Sequence, residues 1–294
     1  MEELSGRDLL NLIESSFPKL KIKDTKFLDY GWNNHIVIVN NDIIFRIPRN
    51  KRNELSLKNE INLLKILKNC PFSIPDYTYV NCNKIFFGGY SMIQGDFLQN
   101  STTLGRGLRN DFSSLASFFG SIRAEDVEKT GMPVYNHKTW IGKELKMIGN
   151  YRRSLGEIMP ETLFDEIEEK WDTVSDDMED GDMAFIHGDL YRKNVIISNN
   201  HRKINGILDW ADSSYGDRAL DYAAFGFDFS LNENRLLLAN SEKHFSERAM
   251  KRVNFYRKTE GFYLAHYLSK TGKIEEARKE CIRIAETWKK IRQF

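Results

Sequence analysis

The sequence lacks the features that mark several large classes of protein. It has no apolar run of the roughly 18 to 20 residues that a membrane-spanning helix needs, and its acidic, amphipathic start, MEELSGRDLLNLIESSF, is unlike a signal peptide. The formal net charge is +1, so no overall basic charge favours nucleic acid. The 3 cysteines have neither metal-binding nor redox spacing. These absences predict a cytoplasmic protein that binds neither membranes nor nucleic acid.

What is present is an ordinary globular composition that changes in character along the chain. The 294 residues are 41% hydrophobic and 29% charged, which is sufficient for a full core and for two lobes. Up to about residue 95 the pattern indicates strands and one long helix, and after Phe97 it indicates mainly helices. We therefore predict an α+β fold, with a small β-rich lobe over residues 1–95 and a larger, mainly helical lobe over residues 96–294.

The predicted small lobe contains a hairpin followed by the long helix. Two β-rich runs, His35–Val39 and Ile43–Ile47, flank an Asn-Asn-Asp turn. Residues Asn53–Asn69 then follow helical periodicity. The residues predicted to share one side of this helix are Leu57, Ile61, Leu64 and Lys68. Later in the chain, the periodicity of the last helix predicts a buried stripe of Ile274, Ala277, Cys281, Ile284 and Trp288.

A group of polar side chains occurs in the stretch FIHGDLYRKNVIISNNHRKINGILDWAD. Asp189 follows His187 by two residues and precedes Asn194 by five, and Asp209 ends the apolar run INGIL. The pattern H-x-D-x-x-x-x-N, followed by two short strands and an Asp, is typical of a phosphoryl-transfer site. In such a site one Asp takes the proton of the acceptor hydroxyl, while an Asn and a second carboxylate hold Mg²⁺ on the triphosphate.

The alternative interpretation of this stretch is a polar loop between two strands. Short motif matches are common by chance. A match of the motif, its spacing and its strand context together is rarer. Here VIIS and INGIL can pair as the strands that carry Asn194 and Asp209. The spacing therefore favours phosphoryl transfer.

Such a site also needs a cation on the triphosphate. Strand alternation in IIFRIP places Ile44 and Arg46 on one face and Phe45 on the other. The long helix offers Glu60 on its apolar side, where a carboxylate needs a partner, and Arg46 is the natural one. The alternative is that Glu60 lies at the edge of the apolar stripe and is solvated.

Two further segments could contact a nucleotide. In the loop DYGWNNH the single glycine, Gly31, together with Asn33 and Asn34, could turn the backbone over the phosphates or form an ordinary strand connection. The connector SMIQGDF, which includes Met92 and Gln94, could offer backbone groups to the purine edge, although Met92 also fits a strand core. The pattern does not decide between adenine and guanine.

Taken together, these motifs resemble the aminoglycoside phosphotransferase family of the protein-kinase-like superfamily, and most of all its 2″-phosphotransferase branch. The stretches IVIVNNDIIFRIPR, LKNEINLLK, GYSMIQGDFL, GMPVYNHK, FIHGDLYRKN and GILDWADSSYGDRALDYA occur in that family's order over most of the chain. The resemblance implies a protein-kinase-like two-lobe fold, with Asp189 as catalytic base and Asn194 and Asp209 as Mg²⁺ ligands. It also implies that Asp221 supports the catalytic loop and that His187 is a scaffold residue.

The sequence departs from protein kinases and from parts of this family. HGD replaces H-R-D, DWA replaces D-F-G and no A-P-E follows, which favours a small-molecule acceptor. The family often has Lys at the position of Arg46. Where the 2″-phosphotransferases have clustered acids after the region that matches DYAAFGFDF, this chain has SLNENR, and its nearby charges are Asp228, Glu233 and Arg235.

The sequence gives weaker indications of the residues that bind the phosphoryl acceptor. The segment Glu161–Asp182 is dense in acids, which fits either a solvated helix face or an acidic wall that attracts a polycationic amino sugar. Arg192 and Lys193 in the catalytic loop could meet phosphate or an anionic acceptor, or could be solvated.

From the whole sequence we predict a Mg²⁺-dependent phosphotransferase, active as a monomer or weak dimer. It would transfer the γ-phosphoryl group of ATP or GTP to a hydroxyl of an aminoglycoside-like acceptor, as in antibiotic resistance. A macrolide or another hydroxylated metabolite is the alternative acceptor. A catalytically silent nucleotide-binding module is an alternative from a different class, against which the intact Asp189, Asn194 and Asp209 argue.

Overall fold

The chain divides by compactness into two units. The structure, a computed structural model, describes residues 4–28, 33–100, 105–198, 203–227, 229–241 and 247–290. The first unit comprises Met1–Asp111, Glu125–Met132 and Arg192–Ser213, and the second comprises Phe112–Ala124, Pro133–Tyr191 and Ser214–Phe294. Each unit is assembled from three segments of the chain, so no single position in the sequence separates the two units. The lobe boundary after residue 95 stays a prediction.

The described residues form short strands and longer helices. The strands are β1 (Thr25–Leu28), β2 (Asn34–Val39), β3 (Ile43–Pro48), β4 (Tyr79–Asn81), β5 (Phe87–Ser91), β6 (Asp96–Phe97), β7 (Met183–Ile186), β8 (Val195–Ile197), β9 (Ile204–Ile207) and β10 (Ser214–Asp217). The helices are α1 (Gly6–Ser16), α2 (Lys51–Ile66), α3 (Arg106–Gly120), α4 (Ala124–Glu128), α5 (His137–Leu155), α6 (Glu161–Ser175), α7 (Ala219–Phe225), α8 (Leu231–Ser241), α9 (Glu247–Thr259), α10 (Gly261–Lys270) and α11 (Ile274–Lys290).

In the described residues of the first unit, five strands form an antiparallel sheet in the order β1-β2-β3-β5-β4. Strands β2 and β3 are joined by the predicted hairpin, in which Val39 pairs with Ile43. Asn40 and Asn41 both have positive φ, 55° and 54°, which is the backbone of a type I′ turn. Asn adopts this left-handed conformation more readily than most residues. The predicted hairpin is confirmed.

One face of this sheet packs against α1. Val37 and Phe45 point from the sheet into a shared core with Leu9 and Ile13 of that helix, and all four side chains are buried. Helix α1 is therefore an addition to the one long helix expected in this part of the chain. Alternation places Arg46 on the opposite face, where it is available to α2.

Helix α2 is the predicted long helix, with slightly different ends. It begins after Asn50, whose side chain accepts a hydrogen bond from the Asn53 backbone N–H, and it ends at Ile66. The buried residues of its stripe include Leu57, Ile61 and Leu64. The prediction for Lys68 was wrong, because this residue follows the helix and is exposed.

A second antiparallel sheet in the first unit has the order β6-β8-β9. Strands β8 and β9 are the pair predicted from VIIS and INGIL, with Val195 opposite Ile207. Gly206 is required here, because a Cβ would lie 2.5 Å from Ile93 Cγ2. Strands β8 and β9 belong to the same compact unit as the N-terminal sheet.

The second unit is mainly helical and contains the antiparallel strand pair β7 and β10. Its most completely buried side chains include Trp140, Phe164 and Trp171. In α11 the residues Ala277, Cys281, Ile284 and Trp288 are buried as predicted, whereas Ile274, the first residue of the helix, is exposed. The sheet of the first unit and the helices of the second confirm the α+β class. No helix in the described part of the chain is long and apolar enough to cross a membrane.

Candidate active site

The backbone of the loop that contains Asp189 is hydrogen-bonded to a buried carboxylate. The backbone N–H groups of His187 and Gly188 donate to the two oxygens of Asp221 at 2.7 and 2.9 Å. The Asp189 backbone N–H donates to His187 Nδ1 at 3.3 Å, and the His187 ring is completely buried. Gly188 has φ of 81°, a left-handed conformation that glycine adopts without strain. The loop therefore has a fixed backbone, on which the Asp189 side chain is half-buried.

Burial sets the electrostatics of Asp221. It raises the pKa of the Asp221 carboxyl to about 7, while the two backbone N–H donors lower it. The nearby Asp189 carboxylate adds a smaller upward shift to the same pKa. Asp221 is thus suited to hold the loop, and Asp189 is the carboxylate of this pair that reaches solvent.

Asn194 and Asp209 lie at the same end of the β8–β9 pair. The Leu208 backbone N–H donates to the Asn194 carbonyl at 2.9 Å, and Asp209 follows directly. Asp209 has φ of 61° and ψ of 68°, a left-handed conformation that is uncommon for a residue with a side chain. Its side chain is 49% exposed, whereas Asn194 is buried. Strain of this kind is retained only where the surroundings impose it, and it is concentrated at functional sites.

The chemistry of these two side chains fits Mg²⁺. An amide oxygen and a carboxylate are the hard oxygen donors that this ion prefers, and proteins usually supply only one or two ligands while substrate phosphates and water supply the others. Within the described ranges, no group of three or more His, Cys, Asp or Glu residues could hold a metal ion. One amide oxygen and one carboxylate suit a metal ion that arrives with a phosphorylated substrate.

Arg46 joins the two carboxylates of the first unit. Its Nη1 lies 2.6 Å from Glu60 Oε1, and its Nη2 lies 3.0 Å from Asp209 Oδ1. The side chains of Arg46 and Glu60 are 9% and 0% exposed, so the ion pair expected between them is present and buried. The contact with Asp209, 163 residues away in the sequence, was not expected.

The charges of this group depend on one another. Burial by itself lowers the pKa of Arg46, but the carboxylates of Glu60 and Asp209 raise it well above its usual range. Burial raises the pKa of Glu60 to about 7, against the opposing effects of the Arg46 charge and the Trp210 backbone N–H. Arg46 is therefore a permanent cation whose position depends on both carboxylates.

The predicted phosphate loop is only partly described. Gly31 lies outside the described residues. The carbonyl of Asn33 accepts hydrogen bonds from the Arg49 backbone N–H at 3.1 Å and from Asn53 Nδ2 at 2.7 Å, which tie the loop to the start of α2. Asn34 is the first residue of β2, with a buried side chain whose Oδ1 has no hydrogen-bond partner among the residues that the structure describes. The strand register places Asn34 on the same face as Arg46.

The connector after β5 is hydrogen-bonded to its surroundings. The Met92 backbone N–H donates to the Asp42 carbonyl at 2.6 Å, and the Met92 carbonyl accepts from Gln94 Nε2 at 3.4 Å. The Gln94 carbonyl accepts from Asn205 Nδ2. A purine edge that used the Met92 carbonyl would therefore compete with the Gln94 side chain.

The two basic residues between Asp189 and Asn194 have different environments. Arg192 is buried, and its Nη2 donates to the Leu98 carbonyl at 2.9 Å. Lys193 is exposed. Arg192 thus has a structural contact, which the sequence did not indicate.

Most acids of the segment Glu161–Asp182 have partners in the second unit. Arg152 forms ion pairs with three of them, on the exposed side of α6. The acids that contact Arg152 are Glu161, Asp165 and Glu168. Trp288 Nε1 donates to Glu166 at 3.0 Å. These contacts favour the interpretation of a solvated, internally paired helix face.

The end of the same segment is paired as well. Asp180 accepts from His137, and Asp182 Oδ1 lies 2.9 Å from Arg252 Nη2. Beyond it, Glu233 accepts from the Ser230 backbone N–H and hydroxyl and so caps α8. Asp228 lies outside the described residues.

The structure thus brings some predicted site residues together within each unit. In the first unit, Arg46 contacts both Glu60 and Asp209. Asn194 directly precedes β8, and Asp209 lies just after β9, the strand that pairs with β8. The second unit contains Asp189 with its supporting His187 and Asp221. Sequence reasoning missed Tyr77, whose hydroxyl lies 3.3 Å from Arg46 Nη1. Tyr77 precedes β4, and no motif around it gave a signal for this contact.

Comparison with known proteins points to a single family. The model of the phosphotransferase enzyme family matches residues 24–256. The chain is similar to the GDP and kanamycin complex of APH(2″)-IIIa, with 20% identity, 96% of this chain and 99% of that chain covered, and a TM-score of 0.82. For macrolide 2′-phosphotransferase type I the identity is 20%, the coverage 96% and 99%, and the TM-score 0.73.

A third similar structure is ADP-bound aminoglycoside phosphotransferase APH(2″)-Ib, with 19% identity, 94% of this chain and 97% of that chain covered, and a TM-score of 0.68. None of the curated proteins matches the chain. At these low identities the similarity to solved structures shows the fold, and it confirms the protein-kinase-like fold class.

Proposed function

The chain belongs to the phosphotransferase enzyme family, and on that premise we propose that it is a Mg²⁺-dependent kinase for a hydroxyl of a small molecule. One observation carries this proposal. Arg46 connects the buried Glu60 with Asp209, so that a fixed cation lies beside a carboxylate suited to hold Mg²⁺. A triphosphate requires this combination, because its charge must be met by both a cationic side chain and a metal ion.

On the donor side, Arg46 binds the triphosphate and Glu60 holds Arg46 in place. Asn33 and Asn34 contribute to the phosphate-binding surface, and Gly31, outside the described residues, is a further candidate for this role. Asn34 is buried on the face of Arg46, and its side-chain oxygen has no partner within the described ranges, which supports this role. Met92 and Gln94 contact the purine edge. ATP and GTP both remain donors to test, since the similar structures contain GDP in one case and ADP in another.

The metal ligands are Asn194 and Asp209. When bound, Mg²⁺ supplies charge neutralisation for the β- and γ-phosphates. The conformation of Asp209, fixed by its contact with Arg46, directs its exposed carboxylate, while Asn194 is held by strand pairing. These residues position the donor and do not themselves exchange protons.

Asp189 is the catalytic base. It accepts the proton of the acceptor hydroxyl while that oxygen attacks the γ-phosphorus. The hydrogen bonds from His187 and Gly188 to Asp221 support this role, because they fix the backbone from which the Asp189 side chain extends. Proton transfer requires such fixed geometry, since small displacements of a base lower its rate strongly.

The first acceptor to consider is an aminoglycoside. Similarity to structures of aminoglycoside phosphotransferases supports this acceptor class, and with it a role in antibiotic resistance. A macrolide or another less cationic hydroxylated metabolite is the second candidate. The observation that favours it is the pairing of Glu161, Asp165 and Glu168 with Arg152, because these acids are then less able to attract a polycation.

The decisive experiment is a phosphoryl-transfer screen of the purified protein against aminoglycosides, macrolides and hydroxylated metabolites, each with ATP and with GTP. We expect product with one acceptor class and only in the presence of Mg²⁺. Failure of every acceptor, combined with no Mg²⁺-dependent nucleotide hydrolysis, would favour the catalytically silent module. We also propose a cytoplasmic location, which the unpaired thiols of Cys70, Cys82 and Cys281 support.

A further inference from the structure

The guanidinium of Arg46 has a third contact besides its two carboxylates. Nη1 donates to Glu60 Oε1 at 2.6 Å and to the Tyr77 hydroxyl oxygen at 3.3 Å, while Nη2 donates to Asp209 Oδ1 at 3.0 Å. Three acceptors around one planar group restrict its rotation more than two acceptors do. Tyr77 therefore contributes to the orientation of the Arg46 side chain.

The fold makes room for Tyr77 at this point. Arg46 pairs with Gly88 on the neighbouring strand, and a Cβ on Gly88 would lie 2.6 Å from Tyr77 Cδ1 and 3.3 Å from Ile61 Cδ1. A glycine opposite Arg46 is thus needed for the Tyr77 ring to lie over the strand. The ring also packs edge-on against Tyr90, with centroids 5.0 Å apart. Packing on several sides fixes the hydroxyl of Tyr77 beside Arg46.

The chemistry of the contact explains an arginine at a position where the resembled family often has lysine. A lysine ammonium is a single point, whereas the guanidinium presents donors in a planar fork. The two nitrogens at the end of Arg46 contact acceptors that belong to three different parts of the first unit. Burial raises the pKa of the Tyr77 hydroxyl well above its usual range, so the group remains neutral beside Arg46.

We propose that Tyr77 is a positioning residue that acts through Arg46. It occupies an N–H of Nη1 and so fixes the guanidinium plane, with Nη2 directed to Asp209 and to the donor phosphates. This inference rests on the proposed function, because it assigns to Arg46 the role of binding the triphosphate. It adds Tyr77 to the residues that position the donor, and it gives a reason for an arginine at position 46.

A double-mutant cycle tests the proposal. The kinetic constants for the nucleotide are measured for the wild type, Tyr77→Phe, Arg46→Lys and the double variant. Tyr77→Phe is expected to raise the nucleotide KM about five- to tenfold in the arginine background, with kcat changed less than about twofold, because one hydrogen bond to a charged group is lost. In the lysine background the same change is expected to alter KM less than about twofold. Equal effects in both backgrounds, or no effect in either, would overturn the proposal.

Urea unfolding of the same four proteins provides a readout that does not depend on nucleotide. Tyr77→Phe is expected to lower the unfolding midpoint in the arginine background and to leave it nearly unchanged in the lysine background. Tyr79→Phe is the matched control, because Tyr79 packs against Phe17 and Phe45 on the α1 side of the sheet and should affect KM in neither background. A wild type that binds no nucleotide would refute the proposed function even if unfolding showed the coupling. A wild type that binds nucleotide but shows no coupling in either measurement would refute the role of Tyr77 alone.

Discussion

Arg46 Nη2 lies 3.0 Å from Asp209 Oδ1, although the two residues are 163 positions apart in the sequence. The same guanidinium holds the buried Glu60. A residue that is proposed to bind the triphosphate is thus in direct contact with a residue that is proposed to bind the metal ion. Changes at any one of the three side chains should therefore alter how the others act.

The first prediction concerns Arg46 and Glu60. Glu60→Ala should chiefly misplace Arg46 and raise the nucleotide KM, whereas Arg46→Ala should lower kcat/KM further by removing the cation. Arg46→Lys should retain substantial activity, because it preserves the charge. The double variant should be barely worse than Arg46→Ala, since Glu60 acts through Arg46. Steady-state kinetics with varied nucleotide measures this cycle, and fully additive losses would show that the two residues act independently.

Stability should respond to the same changes. Removing one member of a buried ion pair typically costs about 3 to 5 kcal/mol, because the remaining charge stays buried without its partner. After Glu60→Ala, Arg46 keeps its contact with Asp209, so we expect a cost at or below the lower end of this range. Glu60→Gln, which retains an acceptor oxygen, is the milder control. Urea unfolding measures both.

The second prediction separates the proposed metal ligands, Asn194 and Asp209, from the cation of Arg46. Asn194→Ala and Asp209→Asn should each raise the Mg²⁺ concentration for half-maximal activity by about tenfold or more, because each removes or weakens a ligand. Asp209→Asn should also raise the nucleotide KM, since it weakens the ion pair with Arg46. A Mg²⁺ titration at saturating nucleotide tests this. Unchanged titrations in both variants would remove the proposed metal site.

Local patterns in the sequence were sufficient for part of this arrangement. Strand alternation around Arg46 and helical periodicity around Glu60 place each side chain on the correct face, so their pairing could be predicted. The hairpin at Asn40 and Asn41 could be predicted because Asn tolerates the left-handed backbone that a tight turn needs. In each case the information lies within a few residues of the feature.

Contacts between residues distant in the sequence could not be predicted from such local patterns. No pattern near Tyr77 indicates that its hydroxyl reaches Arg46, because the contact depends on the absence of a side chain at Gly88. The left-handed backbone of Asp209 depends on tertiary contacts and not on neighbours in the chain. The burial of Arg192, whose Nη2 donates to the Leu98 carbonyl, follows from packing that composition cannot indicate.

The third prediction concerns Asp189, the proposed catalytic base. Asp189→Ala should lower kcat by about 10² to 10⁴, the usual contribution of general acid–base catalysis, while nucleotide binding remains nearly unchanged. Asp172→Ala, at an exposed position of α6, is the matched control and should have no effect. Turnover on the acceptor identified by the screen and nucleotide titration measure the two quantities. Wild-type turnover by Asp189→Ala would show that another group accepts the proton.

The fourth prediction concerns Asp221, whose carboxylate accepts from both His187 and Gly188. Asp221→Asn leaves only one acceptor oxygen for two N–H donors, so the loop should loosen and kcat should fall by about tenfold, an estimate from the loss of one hydrogen bond to a charged group. Nucleotide KM should change little, because Arg46 and Glu60 belong to the other unit. Kinetics with the identified acceptor tests this split.

The same variant should alter the pH dependence of stability. Burial raises the pKa of Asp221 to about 7 in the folded protein, from an ordinary value of 3.8. Between about pH 4 and pH 7 the unfolded chain therefore releases a proton that the folded protein retains, and the contribution of Asp221 to stability falls as pH rises. Asn does not titrate, so the wild type should lose stability relative to Asp221→Asn across this window and show no further relative change above it. Urea unfolding of both proteins at several pH values from 4 to 8 measures the difference, and parallel profiles would show that Asp221 is already ionised throughout.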